Sequence, residues 1–368
     1  MPEKSICFVY NTSQYLFLHR FDLMQTMVKN GFMIYAIAPR DEYSEKIKGT
    51  NIHFIEMNID RKGYNPLNDL LFFYKLLKIY LRIRPQIVHH FTIKPIVYGS
   101  ICARVLNIPK IINSINGLGY LLLNKGMKTV FAKYIYKVSI DKDNIINIFQ
   151  NKDDRHYFIS NQICKQKSAH LVKGCGINLD YFKPSPKNKL WYTKKIRFLF
   201  LSRMLKDKGL IELVNATKKL YKNTKDFELI LTGSPDDGNP ETVSKDWLVN
   251  ISSHPAIKWA GFMKDSRKMI DGCHVMVLPS YREGLSQSLL EAVAMGMPII
   301  TTDVPGCREL IDGNGFLVEA KNIDDLCESM KKMLLNKDLL PKMSKKSIQI
   351  SKNFRASKIN DQLLLLYN

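Results

Sequence analysis

The amino-acid sequence predicts an α/β protein built from two doubly wound domains with a ligand cleft between them. Short apolar strands alternate with amphipathic helical stretches, a pattern typical of parallel sheets covered by helices on both faces. The alternation pauses at a proline-containing segment and then restarts, and a length of 368 residues suits two domains. In open sheets of this kind, ligands bind beyond the carboxyl ends of the strands, so we expect the site in the cleft.

The first domain is predicted over residues 1–183 and the second over residues 184–350, and residues 351–368 are expected to form a helix that packs back on the first domain. Helical periodicity is clearest over Leu67–Arg84. Strands are predicted in the first domain at Ile6–Tyr10, Met33–Ala38, Ile52–Met57, Ile87–Phe91, Lys110–Ile115 and Ile145–Phe149. In the second domain they are predicted at Ile196–Ser202, Phe227–Thr232, His274–Leu278, Pro298–Thr302 and Phe316–Val318.

The composition excludes several classes of protein. Apolar residues make up 45% of the chain and charged residues 24%, which is the balance of a globular protein and not of a disordered one. The apolar runs are far shorter than the roughly 18 residues that a membrane span needs, and no signal-like stretch opens the chain. We therefore expect a cytoplasmic protein, and seven dispersed cysteines without a C-x-x-C pair agree with a reducing compartment.

The positive charge is unevenly distributed. The formal net charge is +21, and between Arg61 and Ile140 thirteen basic residues face a single acidic one, Asp69. Such a field attracts polyanions, whether nucleic acids, anionic lipid headgroups or phosphorylated substrates, and composition alone does not choose among them. A nucleic-acid-binding protein would be expected to carry aromatic stacking platforms or a recognition fold. The aromatic residues of this segment instead interleave with leucine and isoleucine at helical spacing: Phe72, Phe73, Tyr74 and Tyr80.

The most specific segment covers residues 279–292. A buried-type strand ends at Pro279, the loop after it carries Glu283 and Gly284, and a helix is predicted to begin near Ser286. A helix N-terminus presents unpaired N–H groups and partial positive charge, which suits an anion such as phosphate. Glu291 falls more than a turn inside the helix, so the two carboxylates can meet different parts of one elongated ligand. The same spacing would also fit a surface helix with two solvated acids.

A second segment, residues 201–209, also leaves a strand and enters a helix. It places Arg203 and Lys208 at the carboxyl edge of the sheet, where two cations and the N–H groups of a new helix would bind a diphosphate. An ordinary basic turn is the alternative interpretation.

Together, the Arg-x4-Lys-Gly turn and the later E-x7-E pattern resemble the retaining family 4 glycosyltransferases, which have the GT-B fold of two Rossmann-like domains. Segments Gly174–Phe182, Trp259–Phe262, Glu291–Pro298 and Gly306–Glu309 look like further motifs of that family. Segments Gln86–Thr92 and Asn116–Tyr120 look like the branch that acts on lipid-linked glycans for bacterial surface polysaccharide or protein glycosylation.

The resemblance implies roles for individual residues. Arg203 and Lys208, with the helix N-terminus, would neutralise the departing diphosphate without a metal, and Glu283 would contact the donor sugar. Glu291 would bind the ribose hydroxyls. Other donor contacts are expected from Gly284, Leu285, Ser286, Gly233, Phe262 and Asn116.

The chain departs from the family pattern at three places. Asn116 stands where many relatives carry histidine, and Ser286 stands where proline is usual, although serine is a good helix cap. The glycine-rich first loop of many relatives is reduced to Asn11-Thr12-Ser13.

The predicted function is retaining transfer of a hexose or N-acetylhexosamine from a UDP-sugar to a lipid-diphosphate-linked saccharide in surface polysaccharide (O-antigen, capsule) or glycan assembly. The attack would come from the front face of the donor, with no protein nucleophile. A UDP-sugar 2-epimerase of the same fold is the first alternative. A basic nucleic-acid-binding protein is the second, although no nucleic-acid partner is expected.

The lipid-linked acceptor predicts a peripheral position on the inner face of the cytoplasmic membrane. We expect Lys125, Lys128, Lys133 and Lys137 to bind an anionic membrane surface. For Pro66–Arg84, the sequence leaves open whether its apolar face (Leu67, Leu70, Leu71, Tyr74, Leu77 and Leu81) packs on the sheet or meets the membrane.

No metal site is expected. Asp141 and Asp143 form a D-x-D pattern, but it follows a basic amphipathic helix and not a strand. His89 and His90 are expected to serve packing or acceptor contact, because no third ligand is in view.

Overall fold

The computed structural model describes residues 4–59, 65–119, 122, 126–184 and 195–368, without the side chain of Lys128. It divides into two compact units, one formed by residues 1–176 and 356–368 and the other by residues 177–355. The division thus falls before the sequence-based boundary at 183/184. The reason is local: Ile177 is buried in the core of the second unit, and its N–H donates to the carbonyl of Phe354 at 2.8 Å.

The first unit contains a sheet of seven parallel strands in the order β3-β2-β1-β4-β5-β6-β7. The six predicted strands are present, with ends that shift by at most one residue, and the seventh, at the edge, was not predicted. The strands are β1 Ser5–Val9, β2 Met33–Ala38, β3 His53–Glu56, β4 Ile87–Phe91, β5 Lys110–Ile115, β6 Ile145–Phe149 and β7 Ala169–Leu171.

Helices follow most of these strands: α1 Ser13–Lys29, α2 Glu42–Lys48, α3 Pro66–Ile83, α4 Ser100–Val105 after a π-helical turn at Pro95–Gly99, α5 Met127–Ile140 and α6 Lys152–Ser160. The start of α3 shows why the periodicity predicted it well. The side chain of Asn65 accepts a hydrogen bond from the N–H of Leu67, Pro66 occupies the first turn, and Arg84 ends the helix in the left-handed conformation.

The second unit contains six parallel strands in the order β10-β9-β8-β11-β12-β13. The five predicted strands are present here too, and the short edge strand β10 was not predicted. The strands are β8 Ile196–Leu201, β9 Phe227–Thr232, β10 Ile257–Trp259, β11 Val275–Leu278, β12 Ile299–Thr302 and β13 Gly315–Val318. The helices are α7 Leu210–Tyr221, α8 Lys245–Ile251, α9 Ser266–Asp271, α10 Gln287–Ala294, α11 Ile323–Leu335 and α12 Leu340–Ser351.

The last helix, α13 Ala356–Tyr367, belongs to the first unit. Its buried side chains Ile359, Leu363 and Tyr367 pack in the same core as Phe8 and α1. Helices α3 to α6 pack on the opposite side of the sheet, against Cys7 and Val9. None of the helices that the structure describes combines the length and apolar character needed to cross a bilayer.

In both sheets the strand order reverses beside the first strand, between β1 and β4 and between β8 and β11. Loops diverge at such a switch point and leave room for a ligand at the carboxyl edge. In the second unit, the loops that leave this point are the segments after Leu201 and after Leu278, which carry the charged residues singled out in the sequence.

Candidate functional site

Two loops at the carboxyl edge of the second sheet are held against each other. The N–H of Tyr281 donates to the carbonyl of Asp207 at 2.9 Å. Gly209 has φ +70°, and a Cβ atom there would lie 2.0 Å from the carbonyl oxygen of Pro279. Only glycine therefore allows the first loop to pass so close to the second. The structure brings the two predicted charged segments together.

Lys208 and Glu283 form an ion pair at this contact. Lys208 Nζ lies 2.8 Å from Glu283 Oε1, and Ser280 Oγ donates to the same oxygen at 3.0 Å. Their side chains are only 11% and 17% exposed. Burial disfavours the charge on Lys208, but the Glu283 carboxylate, together with a smaller effect of Asp207, more than offsets it and raises the pKa of Lys208 above its ordinary value. The sequence predicted both residues at the site, but not that they bind each other.

The loop after β12 supports the Glu283 backbone. Gly306 has φ +82°, and a Cβ atom there would lie 2.4 Å from the carbonyl group of Glu283. The N–H of Glu283 donates to Pro305 at 3.0 Å, and the N–H of Ser286 donates to Gly306 at 2.9 Å. Glu309 in turn accepts a hydrogen bond from the N–H of Gly306 at 2.8 Å. These backbone contacts position the carboxylate independently of any ligand.

Helix α10 begins at Gln287, next to the predicted start at Ser286. Ser286 takes the N-cap position, but its side chain accepts no hydrogen bond from the helix backbone. Serine therefore occupies the cap position without using its hydroxyl to cap the helix backbone. Ser286 Oγ instead lies 3.5 Å from Ser288 Oγ, and Gly284, Leu285 and Ser286 are all buried.

Arg203 pairs with an acid that the sequence reasoning missed. Arg203 Nη1 lies 2.6 Å from Asp236 Oδ2, and the arginine side chain is 45% exposed. No sequence signal links the two residues, because Asp236 belongs to the loop after β9.

Gly233 begins that same loop with φ +142°, and a Cβ atom there would lie 1.8 Å from the carbonyl oxygen of Ser202. Gly233 also receives a hydrogen bond from the indole of Trp259 at 2.9 Å and donates its N–H to Gly261 at 2.8 Å. The predicted donor-binding residues Gly233 and Phe262 thus lie on adjoining loops, with Phe262 exposed.

Glu291 lies in the second turn of α10 and is held by a neighbouring helix. Ser266 Oγ donates to Glu291 Oε2 at 2.7 Å. Burial raises the pKa of Glu291 to about 7, against the opposing effect of the Ser266 hydrogen bond. Beside Ser266, Arg267 pairs with Asp265 at 2.7 Å and stacks over the ring of Tyr181 at 3.6 Å. Ser266 is a further residue that the sequence reasoning did not single out.

The remaining predicted donor contact, Asn116, belongs to the first unit, where it follows β5. Its Oδ1 accepts a hydrogen bond from Gln150 Nε2 at 2.8 Å. In the first loop, Thr12 Oγ1 caps α1 by accepting from the N–H of Tyr15 at 3.0 Å, and Ser13 Oγ donates to the carbonyl of Pro39. Both hydroxyls of this loop therefore satisfy backbone groups.

The two adjacent histidines of β4 are fully buried. His90 contacts Tyr80 and Asn113 through its two ring nitrogens, at 2.8 and 2.9 Å. His89 contacts Ser114 at 2.8 Å and the hydroxyl of Tyr367 in α13. Burial lowers the pKa of both, that of His90 to about 4. Of the two roles open in the sequence, the contacts support packing.

Asp143 of the D-x-D pattern is exposed and pairs with Lys165 and Lys167, at 3.2 and 2.8 Å. Within the described ranges of the chain, no group of three or more His, Cys, Asp or Glu side chains is arranged to hold a metal ion.

Comparison with known proteins agrees with this architecture. A family model described as glycosyl transferases group 1 matches residues 182–350, and a glycosyl transferase 4-like model matches residues 5–151. Two Rossmann-like parallel sheets with these matches define a glycosyltransferase of the GT-B fold. The chain belongs to the family 4 glycosyltransferases, as the motifs predicted.

Relatives and solved structures match most or nearly all of the chain. A Campylobacter jejuni protein named N,N'-diacetylbacillosaminyl-diphospho-undecaprenol alpha-1,3-N-acetylgalactosaminyltransferase is 27% identical over 99% of this chain and 98% of its own. An Escherichia coli UDP-Gal:alpha-D-GlcNAc-diphosphoundecaprenol alpha-1,3-galactosyltransferase is 24% identical, over 72% of this chain and 69% of its own. The crystal structure of Anabaena HepE with UDP and glucose superposes with a TM-score of 0.80 at 16% identity, covering 98% of both chains, which supports the fold.

Proposed function

We propose that the protein transfers a hexose or N-acetylhexosamine from a UDP-sugar to a lipid-diphosphate-linked saccharide in surface polysaccharide or glycan assembly, with retention of configuration. Both relatives above are named for acceptors on diphospho-undecaprenol, and both are named for α-linked products. A UDP-sugar with an α linkage yields an α product when the configuration is retained. The UDP complex of the Anabaena structure supports a UDP-linked donor.

The observation that carries this proposal is the ion pair between Lys208 and Glu283, which lies in the loop just before α10. Negative charge develops on the diphosphate as the sugar–phosphate bond breaks, and a cation in a poorly hydrated place stabilises that charge strongly. Lys208 supplies the buried cation and Arg203 a more exposed one at the same edge. Fixed in place before the donor arrives, Lys208 needs little rearrangement during the reaction.

Glu283 would contact both the Lys208 ammonium group and the donor sugar. Its two described contacts, from Lys208 and Ser280, fall on Oε1. Oε2 is therefore the oxygen that we assign to the hydroxyls of the donor sugar. In this arrangement the carboxylate couples the position of the sugar to that of the ammonium group that faces its leaving group.

Glu291 would accept hydrogen bonds from the ribose hydroxyls of the donor. Ser266 occupies Oε2 and leaves Oε1 for the ligand. Hydroxyl donors favour the ionised carboxylate, so the nucleotide should lower the raised pKa of Glu291 when it binds. Gly233, Phe262, Gly284, Leu285 and Ser286 would complete the donor site of the second unit.

The acceptor hydroxyl would attack from the face that the diphosphate leaves, and the leaving phosphate would take its proton. No metal and no protein nucleophile takes part in this scheme. The protein would work in the cytoplasm, bound peripherally to the inner face of the cytoplasmic membrane, where lipid-linked acceptors are accessible.

The test is UDP release by the purified protein with a panel of UDP-sugars and a lipid-diphosphate-linked acceptor, with the anomeric configuration of the product read by NMR. We expect acceptor-dependent UDP release and an α product. Conversion of a UDP-sugar without any acceptor would instead identify the epimerase alternative. Salt-sensitive DNA binding without UDP binding in calorimetry would point to the nucleic-acid alternative.

A further inference from the structure

Helices α3, α4 and α5 form one layer on one side of the first sheet. Helix α4 packs against both α3 and α5, and all three contribute to a single core. The side chains that face this core are Phe72, Leu76 and Tyr80 from α3 and Ala132, Tyr136 and Ile140 from α5. The opposite sides of α3 and α5 therefore lie on the same outer surface of the unit, which we call the α3–α5 face.

The α3–α5 face is apolar, although it is exposed to solvent. Its large apolar side chains are each 44–88% exposed: Leu67, Leu70, Leu71, Tyr74 and Leu81 on α3, and Met127, Val130, Phe131, Tyr134 and Val138 on α5. Val105, at the end of α4 between them, is also exposed. A helix on the surface of a soluble domain normally turns polar residues outwards. Here two neighbouring helices carry apolar residues both on the side that faces the core and on the side that faces solvent, which indicates that a partner covers this face.

The charged residues on this face indicate what kind of partner it binds. Lys75, Lys78 and Arg82 of α3 and Lys137 of α5 are exposed among the apolar residues. Asp69 is the single acidic residue of the two helices, and it is buried in an ion pair with Lys94 at 2.7 Å. Lys78 Nζ lies 4.5 Å from the centre of the Tyr74 ring, so the lysine stem covers an aromatic side chain while its charge reaches outwards. Apolar, aromatic and basic side chains in this mixture match the boundary between headgroups and acyl chains of an anionic membrane.

We propose that the α3–α5 face docks on an anionic lipid bilayer, with the apolar side chains of both helices inserted among the lipids. The proposal rests on the proposed function in one respect, because a lipid-linked acceptor lies in a bilayer, but its evidence is the exposed surface itself. It also changes the sequence-based expectation, in which four lysines of one helical stretch bind the membrane. Lys133 Nζ donates to Asn161 at 2.7 Å, and Lys125 and the Lys128 side chain lie outside the described part of the chain.

The test is sedimentation of the full chain with vesicles of equal parts phosphatidylcholine and phosphatidylglycerol. One triple variant carries Val130→Ser, Phe131→Ser and Tyr134→Ser, and another carries Leu67→Ser, Leu70→Ser and Leu71→Ser. A matched control carries Val249→Ser, Leu335→Ser and Leu365→Ser, which are equally exposed apolar residues outside the face. We expect each test variant to partition at least about tenfold more weakly than wild type, because three apolar side chains no longer enter the lipid. The control should sediment as wild type does.

Melting temperature and UDP affinity are measured for all variants, and they should not change, since the substituted side chains are exposed. Wild-type sedimentation of either test variant would overturn the two-helix proposal. A concentration-dependent dimer that the same substitutions abolish, without vesicle binding, would overturn it in favour of a second copy of the chain.

Transfer to a water-soluble, short-chain acceptor without vesicles separates this proposal from the proposed function. If the wild-type protein sediments with vesicles but transfers no sugar, the docking surface is supported and the proposed function is wrong. If it transfers sugar but does not sediment with vesicles, the proposed function is supported and the docking surface is wrong.

Discussion

Each unit of the protein contains a cluster of polar side chains at its sheet, and the two clusters differ in charge. In the first unit, His90 binds Tyr80 and Asn113, and Asn113 also binds Ser100 and Asn147, all in the interior. Burial lowers the pKa of His90, so this cluster is neutral at pH 7. In the second unit, the cluster is the Lys208–Glu283 ion pair with Ser280.

The difference shows what a buried polar group is used for. A neutral network whose members satisfy each other specifies how strands and helices pack, and it offers little to a ligand. A buried ion pair contributes little net stability, because removing two charges from water costs about as much as their attraction returns. Its presence at a carboxyl edge is therefore better explained by the chemistry that it allows.

The largest effect should follow from Lys208→Ala. We expect UDP-sugar turnover to fall on the order of a hundredfold, since the buried cation at the diphosphate is lost. The free energy of unfolding should also fall by about 2 kcal/mol, because Glu283 loses its partner in a poorly hydrated place. Turnover assays and urea denaturation measure the two effects.

A double variant, Lys208→Met with Glu283→Gln, is the control for that loss of stability. It should regain most of the stability and none of the turnover. Near wild-type turnover in Lys208→Ala would remove this residue from the proposed mechanism.

His90→Ala should have the reverse profile. The His90 ring packs so closely against Gly99 that a Cβ atom on Gly99 would lie 2.5 Å from His90 Nε2. Removing the ring therefore leaves a cavity, and it leaves the Tyr80 hydroxyl without its His90 partner. We expect a loss of about 3 kcal/mol in the free energy of unfolding, with UDP affinity unchanged. Weaker UDP binding by a variant that is still fully folded would show that the polar cluster of the first unit is not merely structural.

Acidification should change the stability of the two units in opposite directions. The pKa of His90 is lowered from 6.5 to about 4, so the stability from keeping it neutral is present above pH 6.5 and is lost as the pH falls towards 4. His89 responds in the same direction, with Arg20 adding to the effect of burial. The pKa of Glu291 is raised from 4.5 to about 7, so its contribution is present below pH 4.5 and is lost as the pH rises through 7.

Hydrogen exchange measured separately in the two units between pH 5 and pH 8 would show whether their stabilities change in opposite directions. Glu291→Gln should flatten the response of the second unit and leave that of the first unchanged. The same substitution should weaken UDP binding roughly tenfold, because an ionised acceptor of the ribose hydroxyls is lost. An unaltered pH response in this variant would contradict the assignment to Glu291.

The smallest effect should come from a chelator. If Lys208 and Arg203 neutralise the diphosphate, EDTA should leave turnover essentially unchanged in a UDP-release assay. Complete loss of turnover that Mn²⁺ or Mg²⁺ restores would contradict this, and it would return attention to Asp141 and Asp143.

The sequence by itself determined the described strands of four or more residues, the two-unit plan and the position of the charged loops. These features are local: a run such as Phe227–Thr232 is apolar enough to be a buried strand, and Gly209 and Gly284 mark the turns that follow strands. The edge strands Ala169–Leu171 and Ile257–Trp259 were missed because three residues are too short for a pattern. They exist as strands through their partners, β6 and β9.

Only the tertiary structure decided which side chains meet and which side of a helix faces outwards. Asp236 and Ser266 reach Arg203 and Glu291 from loops and helices far along the chain, so no spacing rule could find them. In α3, Phe72 and Leu76 on one side and Leu70 and Tyr74 on the other are equally apolar. Burial of one side and exposure of the other come from contacts with the sheet, because the hydrophobic effect depends on the area removed from water and not on residue type alone.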